Sequence, residues 1–220
     1  MNTAVAAVVS LTGVVIATSS AQAEATISVF GGANFSPDSD VDYVFSDGRT
    51  GDISVDWDGE SFEAPPYYGV RAAWWLEQKP NFGVALEFTH AKVAADPLPA
   101  DFSTLEFTDG INFVTINGMY RHKFDNGFTP YVGVGAGITV PNVEVDDGPG
   151  GILETNEYQV TGFAAQAFVG VDYAFTDRWS VFGEFKSTYG EVDADLEGGG
   201  ELNTDIISNQ IILGITFKVF

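Results

Sequence analysis

The stretch Ile211-Ile212-Leu213-Gly214-Ile215-Thr216-Phe217-Lys218-Val219-Phe220 decides how this chain is read. Leu213, Ile215, Phe217 and Val219 fall on one face, and Gly214, Thr216 and Lys218 on the other. A period of two with one apolar and one polar side is a β-strand signature.

The same pattern recurs upstream. Val84, Leu86 and Phe88 alternate with Ala85, Glu87 and Thr89; Val132, Val134, Ala136 and Ile138 alternate with Gly133, Gly135 and Gly137. Eight such runs are expected near 25–35, 66–77, 81–94, 110–123, 128–145, 157–175, 178–191 and 204–220. The connections alternate in length. Short ones contain Gln78-Lys79-Pro80, Asp125-Asn126-Gly127 and Thr176-Asp177, and long ones lie near 36–65, 95–109, 146–156 and 192–203. Short inner turns and long outer loops are the habit of bacterial membrane barrels. A soluble barrel would turn its apolar faces inward and leave glycine and charge in water. The expected fold is therefore all-β, an eight-stranded antiparallel transmembrane barrel of the outer membrane, and an interior that narrow argues against a general pore.

Residues 1–23 read as a secretory signal, with an apolar run from Ala4 to Thr18 and Ala21-Gln22-Ala23 as the cleavage site. The barrel domain is then 24–220. Aromatic residues mark the expected interfaces: Trp74, Trp75, Phe82, Tyr120, Tyr131, Tyr173 and Trp179 near the short turns, and Tyr67, Tyr68, Phe88 and Tyr189 near the long loops.

There is no cysteine, which excludes disulfides and thiolate chemistry. The formal net charge is −22, which argues against nucleic acid as a partner. The 45% hydrophobic and 14% aromatic content argues equally against disorder. The acids are segregated: residues 36–64 hold Asp38, Asp40, Asp42, Asp47, Asp52, Asp56, Asp58, Glu60 and Glu63. Such a surface beside anionic lipid repels it unless divalent cations bridge the two. The plainer reading is a solvated loop surface.

Three constellations are candidates for chemistry. Arg71, Glu87, Arg121, Asp172, Glu184 and Lys186 point inward and suggest a lumen network, because unpaired charge inside a narrow barrel is costly. His90 and Lys92 continue the outward phase of Leu86 and Phe88 near the outer leaflet. There they suit anchoring to lipid A phosphates, or His90 as a base or metal ligand. Thr108-Asp109-Gly110 and Leu196–Leu202 form a loop-rim set. No GxSxG, Walker, dinucleotide or HExxH pattern occurs.

Four stretches resemble the rhizobial lipid A oxidase family of outer-membrane barrels: Glu87-Phe88-Thr89-His90-Ala91-Lys92, Phe107-Thr108-Asp109-Gly110-Ile111-Asn112, Thr129 to Ile138, and Asp177 to Lys186. The resemblance covers roughly residues 80–220. It implies an OmpA-like small barrel that oxidises the proximal glucosamine of lipid A to 2-aminogluconate, with molecular oxygen reduced to peroxide. It carries over no catalytic residues. From the residues themselves, Glu87, His90 and Asp109 are the candidate catalytic set, with a divalent metal as the candidate cofactor and its identity unknown. His90 and Lys92 are the candidate lipid contacts. Alternation places Glu87 and His90 on opposite faces, which counts against a shared site. The alternative is a non-enzymatic structural or adhesin-like barrel acting through its acidic loops.

Overall fold

A computed structural model describes residues 24–148 and 153–220; the expected signal segment, 1–23, lies outside them. Twelve strands form one antiparallel sheet: β1 (Glu24–Phe35), β2 (Ser39–Val44), β3 (Thr50–Val55), β4 (Trp57–Asp58), β5 (Tyr68–Leu76), β6 (Lys79–Ala95), β7 (Phe102–Arg121), β8 (Phe128–Asp147), β9 (Glu154–Tyr158), β10 (Gly162–Ala174), β11 (Trp179–Leu196) and β12 (Gly200–Lys218). Eight of them, β1-β5-β6-β7-β8-β10-β11-β12, close into a ring through the pairing of β1 with β12. Thr26 opposes Lys218 and Phe35 opposes Asn209 across that seam.

Around this ring the outward residues are apolar. Val29, Val70, Leu86, Ile116, Val134, Val169, Val181 and Leu213 are all exposed, and Leu213 reaches 74%. A continuous band of this kind has no place in water and is the lipid-facing belt of a membrane barrel. Trp74, Phe82, Tyr120, Tyr173 and Trp179 ring its short-turn end as expected. Trp75, Tyr131 and Tyr67 do not belong to the girdle: each is 7% exposed or less and lies on the lumen side.

The expected long loops are largely strand. The cause is an inversion of polarity along the same strands. On β11, Val181 and Phe185 face out while Ser180, Glu184 and Lys186 face in. Further along, Val192, Ala194 and Leu196 are buried inside while Asp193 and Asp195 are exposed outside. β12 does the same, with Leu202 and Ile206 inside and Glu201 and Asp205 outside. Above the membrane the barrel is thus a water-soluble β-structure with an apolar core and an acidic coat. β1 and β5 stop at the boundary. There the β2–β3 hairpin pairs with β12, β4 with β6, and β9 with β8. The head core contains Val41, Val55, Trp57, Leu105, Phe107, Ile111 and Val143. Tyr43, Phe45 and Phe102 pack together with ring centroids 4.7–5.3 Å apart.

Candidate functional site

The lumen is filled by polar side chains whose room is made by glycine. At Gly135 a Cβ would lie 1.9 Å from Asn117 Oδ1, so only glycine admits that amide. Arg71 donates to Glu87 through Nε and grips Glu184 through both terminal nitrogens at 2.8 Å. Lys186 Nζ donates to Glu87 at 2.6 Å and to Thr89 Oγ1 at 3.0 Å. Tyr131 donates to Glu184 at 2.8 Å, and Gln166 bridges Glu87 and Asn117. Phe168 lies 4.4 Å under the Arg71 guanidinium. Two cations and two carboxylates, all buried and hydrogen-bonded, form a neutral plug. Of the expected network, Arg71, Glu87, Glu184 and Lys186 come together. Arg121 does not join them. It sits at the short-turn mouth, bound to Glu24 at 2.5 Å, and Asp172 is also there, accepting from Ser180 at 2.6 Å.

Glu87, His90 and Asp109 are not brought into one site. Glu87 points into the lumen, and His90 points outward from the same strand. His90 and Lys92 keep the expected outward phase, but neither is open to lipid: each is only 3% exposed. β4 and the segment after it cover this part of β6, with Asp58 opposite Ala94 and Glu60 Oε2 3.7 Å from Lys92 Nζ. Tyr68 stacks on the His90 ring at 4.9 Å. Asn112 donates to the Val140 carbonyl, so its Oδ1 accepts from His90 Nδ1–H at 2.9 Å. That favours the Nδ1–H tautomer; the Pro65 carbonyl also acts on the ring, and His90 Nε2 makes no hydrogen bond of full geometry. Gly110 completes the pocket wall with φ +116°, and a Cβ there would lie 2.3 Å from the ring. Asp109 is exposed; its carbonyl accepts from Tyr158 at 2.6 Å. Among the described residues no three His, Asp or Glu side chains gather as a metal site, and Glu87, His90 and Asp109 do not form one together.

The charge distribution is the feature that sequence reading located only in part. Of 31 acidic residues, five (Glu24, Glu77, Asp125, Asp172, Asp177) lie at the short-turn end and two (Glu87, Glu184) in the plug. The other twenty-four are in the head. Of nine basic residues, five (Lys79, Arg121, Lys123, Arg178, Lys218) are at the short-turn end and two (Arg71, Lys186) in the plug. Only Arg49 and Lys92 belong to the head, so the head alone carries the whole net charge of −22. Its acids even oppose one another across strands: Asp42 faces Asp52, Glu191 faces Asp205, Asp195 faces Glu201, and Glu106 faces Glu144. Directly opposed like charges destabilise a sheet.

Elsewhere in the head, burial and neighbouring charges move pKa values. Hydrogen bonding and charge from Asp38 push the Asp56 carboxyl up, and burial with the nearby Glu63 does the same to Glu60. Burial and Asp101 raise the Tyr43 phenol to about 12. Asp47 runs the other way, lowered by Arg49. A carboxyl whose folded pKa is raised binds protons more tightly in the folded state. Its stabilisation is present in acid and lost as pH rises through the range just above ordinary carboxylate values. The head should therefore resist protease longer at about pH 5 than at about pH 8 in low salt, with the gap closing as salt screens exposed charge. Equal resistance at both pH values would count against this reading.

No protein-family model matches the sequence, and no curated protein matches it. Solved structures do. The crystal structure of Neisserial surface protein A aligns over 88% of this chain and 96% of its own, with a TM-score of 0.50 and 12% identity. The solid-state NMR structure of the outer membrane protein AlkL in lipid bilayers aligns over 92% and 93%, with a TM-score of 0.50 and 16% identity. At such identity the likeness is one of fold. The chain has the architecture of a small outer-membrane β-barrel, and its apolar belt sets that barrel in the outer membrane of a Gram-negative envelope.

Proposed function

We propose that this chain is a non-enzymatic outer-membrane barrel that presents a rigid acidic head outside the cell and engages cations through it. The carrying observation is the set of four directly opposed acid pairs on a cored head. A fold that needed only solubility gains nothing from placing acids face to face, where they cost stability. Each pair offers two carboxylates, enough to hold a divalent cation that keeps most of its water and short of a full protein cage. Bound there, such cations relieve the repulsion and bridge the head to lipid A phosphates or other anionic neighbours. The plug is consistent with a role that does not involve transport.

The test is calcium and magnesium titration of the protein in phosphatidylcholine vesicles, following head protease resistance. Any ligand that binds only the folded head stabilises it by mass action, about 2.7 kcal/mol at a hundredfold excess over its dissociation constant. Millimolar divalent cation should protect the head. A variant carrying Asp42→Asn, Glu191→Gln and Asp195→Asn should be protected without it and gain little from it. Identical protection by sodium chloride of equal ionic strength would sink the proposal.

The oxidase reading has one specific observation in its favour, the buried Nε2 of His90 beside the outer rim, which makes no hydrogen bond of full geometry. Its test is mass spectrometry of lipid A lacking the proximal phosphate, incubated with folded protein in air and under argon. A product heavier by one oxygen atom, formed only in air and lost in His90→Ala, would support it. Unchanged lipid A would leave the structural reading standing.

A further inference from the structure

The mouth at the short-turn end opens into a cavity of about 300 Å³, closed above by Arg71 and Tyr131 of the plug. In an outer-membrane barrel this end faces the periplasm. The cavity's rim collects Arg121, Lys123, Arg178 and Lys218 from the ends of four strands or turns. This end as a whole is neutral, five acids against five bases, unlike the head, where acids outnumber bases twenty-four to two.

Three of those cations already hold an anion. The Glu24 carboxylate lies 2.5 Å from Arg121 Nη1, 2.6 Å from Lys123 Nζ and 3.8 Å from Lys218 Nζ. Arg121 is itself held flat, 3.6 Å over the Trp75 ring. Arg178 has no ion pair among the described residues, although Asp172 and Asp177 also line the cavity. A second observation points to a missing acceptor. Trp75 lines the same cavity, is 6% exposed, and its indole N–H has no hydrogen-bond partner. A buried donor without an acceptor costs free energy unless something supplies one. Thr26, Ser28 and Thr216 add hydroxyls to the wall.

We propose that this vestibule binds a small oxyanion, a carboxylate or phosphate group of a periplasmic solute. Arg178 and Arg121 receive its charge, and the Trp75 indole N–H donates to it at the base of the cavity. Glu24 is the internal competitor, occupying the cations when the solute is absent. The cavity's size matches the lower end of small-molecule sites. Hydroxyls and aromatic faces around the cations suit a solute with a polar or sugar-like body. Because the plug closes the far side, the solute is held at the mouth and is not conducted.

The experiment is NMR of ¹⁵N-labelled protein in detergent micelles, titrated separately with inorganic phosphate, with citrate, and with sodium chloride at matched ionic strength. The indole N–H of Trp75 should shift saturably with an oxyanion. The indole of Trp57, in the head and bonded to Ser39 at 2.9 Å, should stay still. Preference for phosphate or citrate identifies which oxyanion the site takes. Arg178→Gln should weaken binding about tenfold, the worth of one charge-assisted hydrogen bond. Glu24→Gln should tighten it by removing the competitor. Heat-modifiable gel mobility verifies that both variants fold. Shifts that sodium chloride reproduces, a saturable shift that Arg178→Gln leaves untouched, or weaker binding in Glu24→Gln would each overturn the proposal.

Discussion

Glu87→Ala is expected to cost the folded barrel about 3–5 kcal/mol, the penalty for stranding buried charge without its partner. Glu87 is the hinge of the plug, because of the two carboxylates it alone pairs with both Arg71 and Lys186. Removing it leaves two cations against the single carboxylate of Glu184, in a space closed by Phe30 and Phe168. Lys186 is fully buried and keeps only the Thr89 hydroxyl at 3.0 Å. It has no route to water short of moving the strand. The measurement is urea titration of folding into lipid vesicles, read by tryptophan fluorescence and gel mobility. The informative control is the fourfold replacement Arg71→Met, Glu87→Leu, Lys186→Met and Glu184→Gln. Substituting a whole buried ion network by apolar groups of similar size is often neutral. If the single variant is as stable as the parent, the plug is hydrated and the lumen is not the dry core its packing implies. If the multiple variant is far less stable than the single one, the charges do more than cancel each other.

The membrane half was legible because its signal is unopposed. Over Val84–Phe88 and Leu213–Phe217 the apolar residues keep one parity, and the ring strands lie where that parity predicted them. The plug was legible for the same reason, since Arg71, Glu87, Glu184 and Lys186 keep the opposite parity. Arg121 and Asp172 share that parity but lie closer to the mouth, Arg121 six residues beyond the partner of Glu87 and Asp172 two beyond the partner of Glu184. Parity gives a side chain's face and says nothing of its height. The head was missed because its apolar residues change parity. In Glu191-Val192-Asp193-Ala194-Asp195-Leu196 the alternation is strict, yet a rule that looks for apolar residues outside discards it as loop. The covering of His90 and Lys92 had no local signal. It depends on Trp57 and Asp58, about thirty-five positions upstream, pairing with the end of β6.

The same inversion of parity yields the second large effect. Phe107 is fully buried in the head, its ring tilted against Trp57 at 5.8 Å, and is among the largest side chains with no exposure. Phe107→Ala should cost about 3–5 kcal/mol, transfer plus cavity. The loss should fall on the head alone, because the eight-strand ring below has its own support in lipid and in the plug. Val134→Arg is the reciprocal change. Val134 stands 67% exposed in the belt, where a cation near the bilayer middle costs about 2–4 kcal/mol. Hydrogen exchange separates the two outcomes on neighbouring stretches of the same strands. Phe107→Ala should strip protection from Phe102–Phe107 and Val143–Asp147 while Val114–Tyr120 stays protected. Val134→Arg should slow insertion of the whole barrel in vesicles. Uniform loss of protection along β7 in Phe107→Ala would mean that head and ring form one cooperative unit. The acidic head could then not change state independently of the barrel that carries it, and binding at its surface would be felt down to the periplasmic mouth.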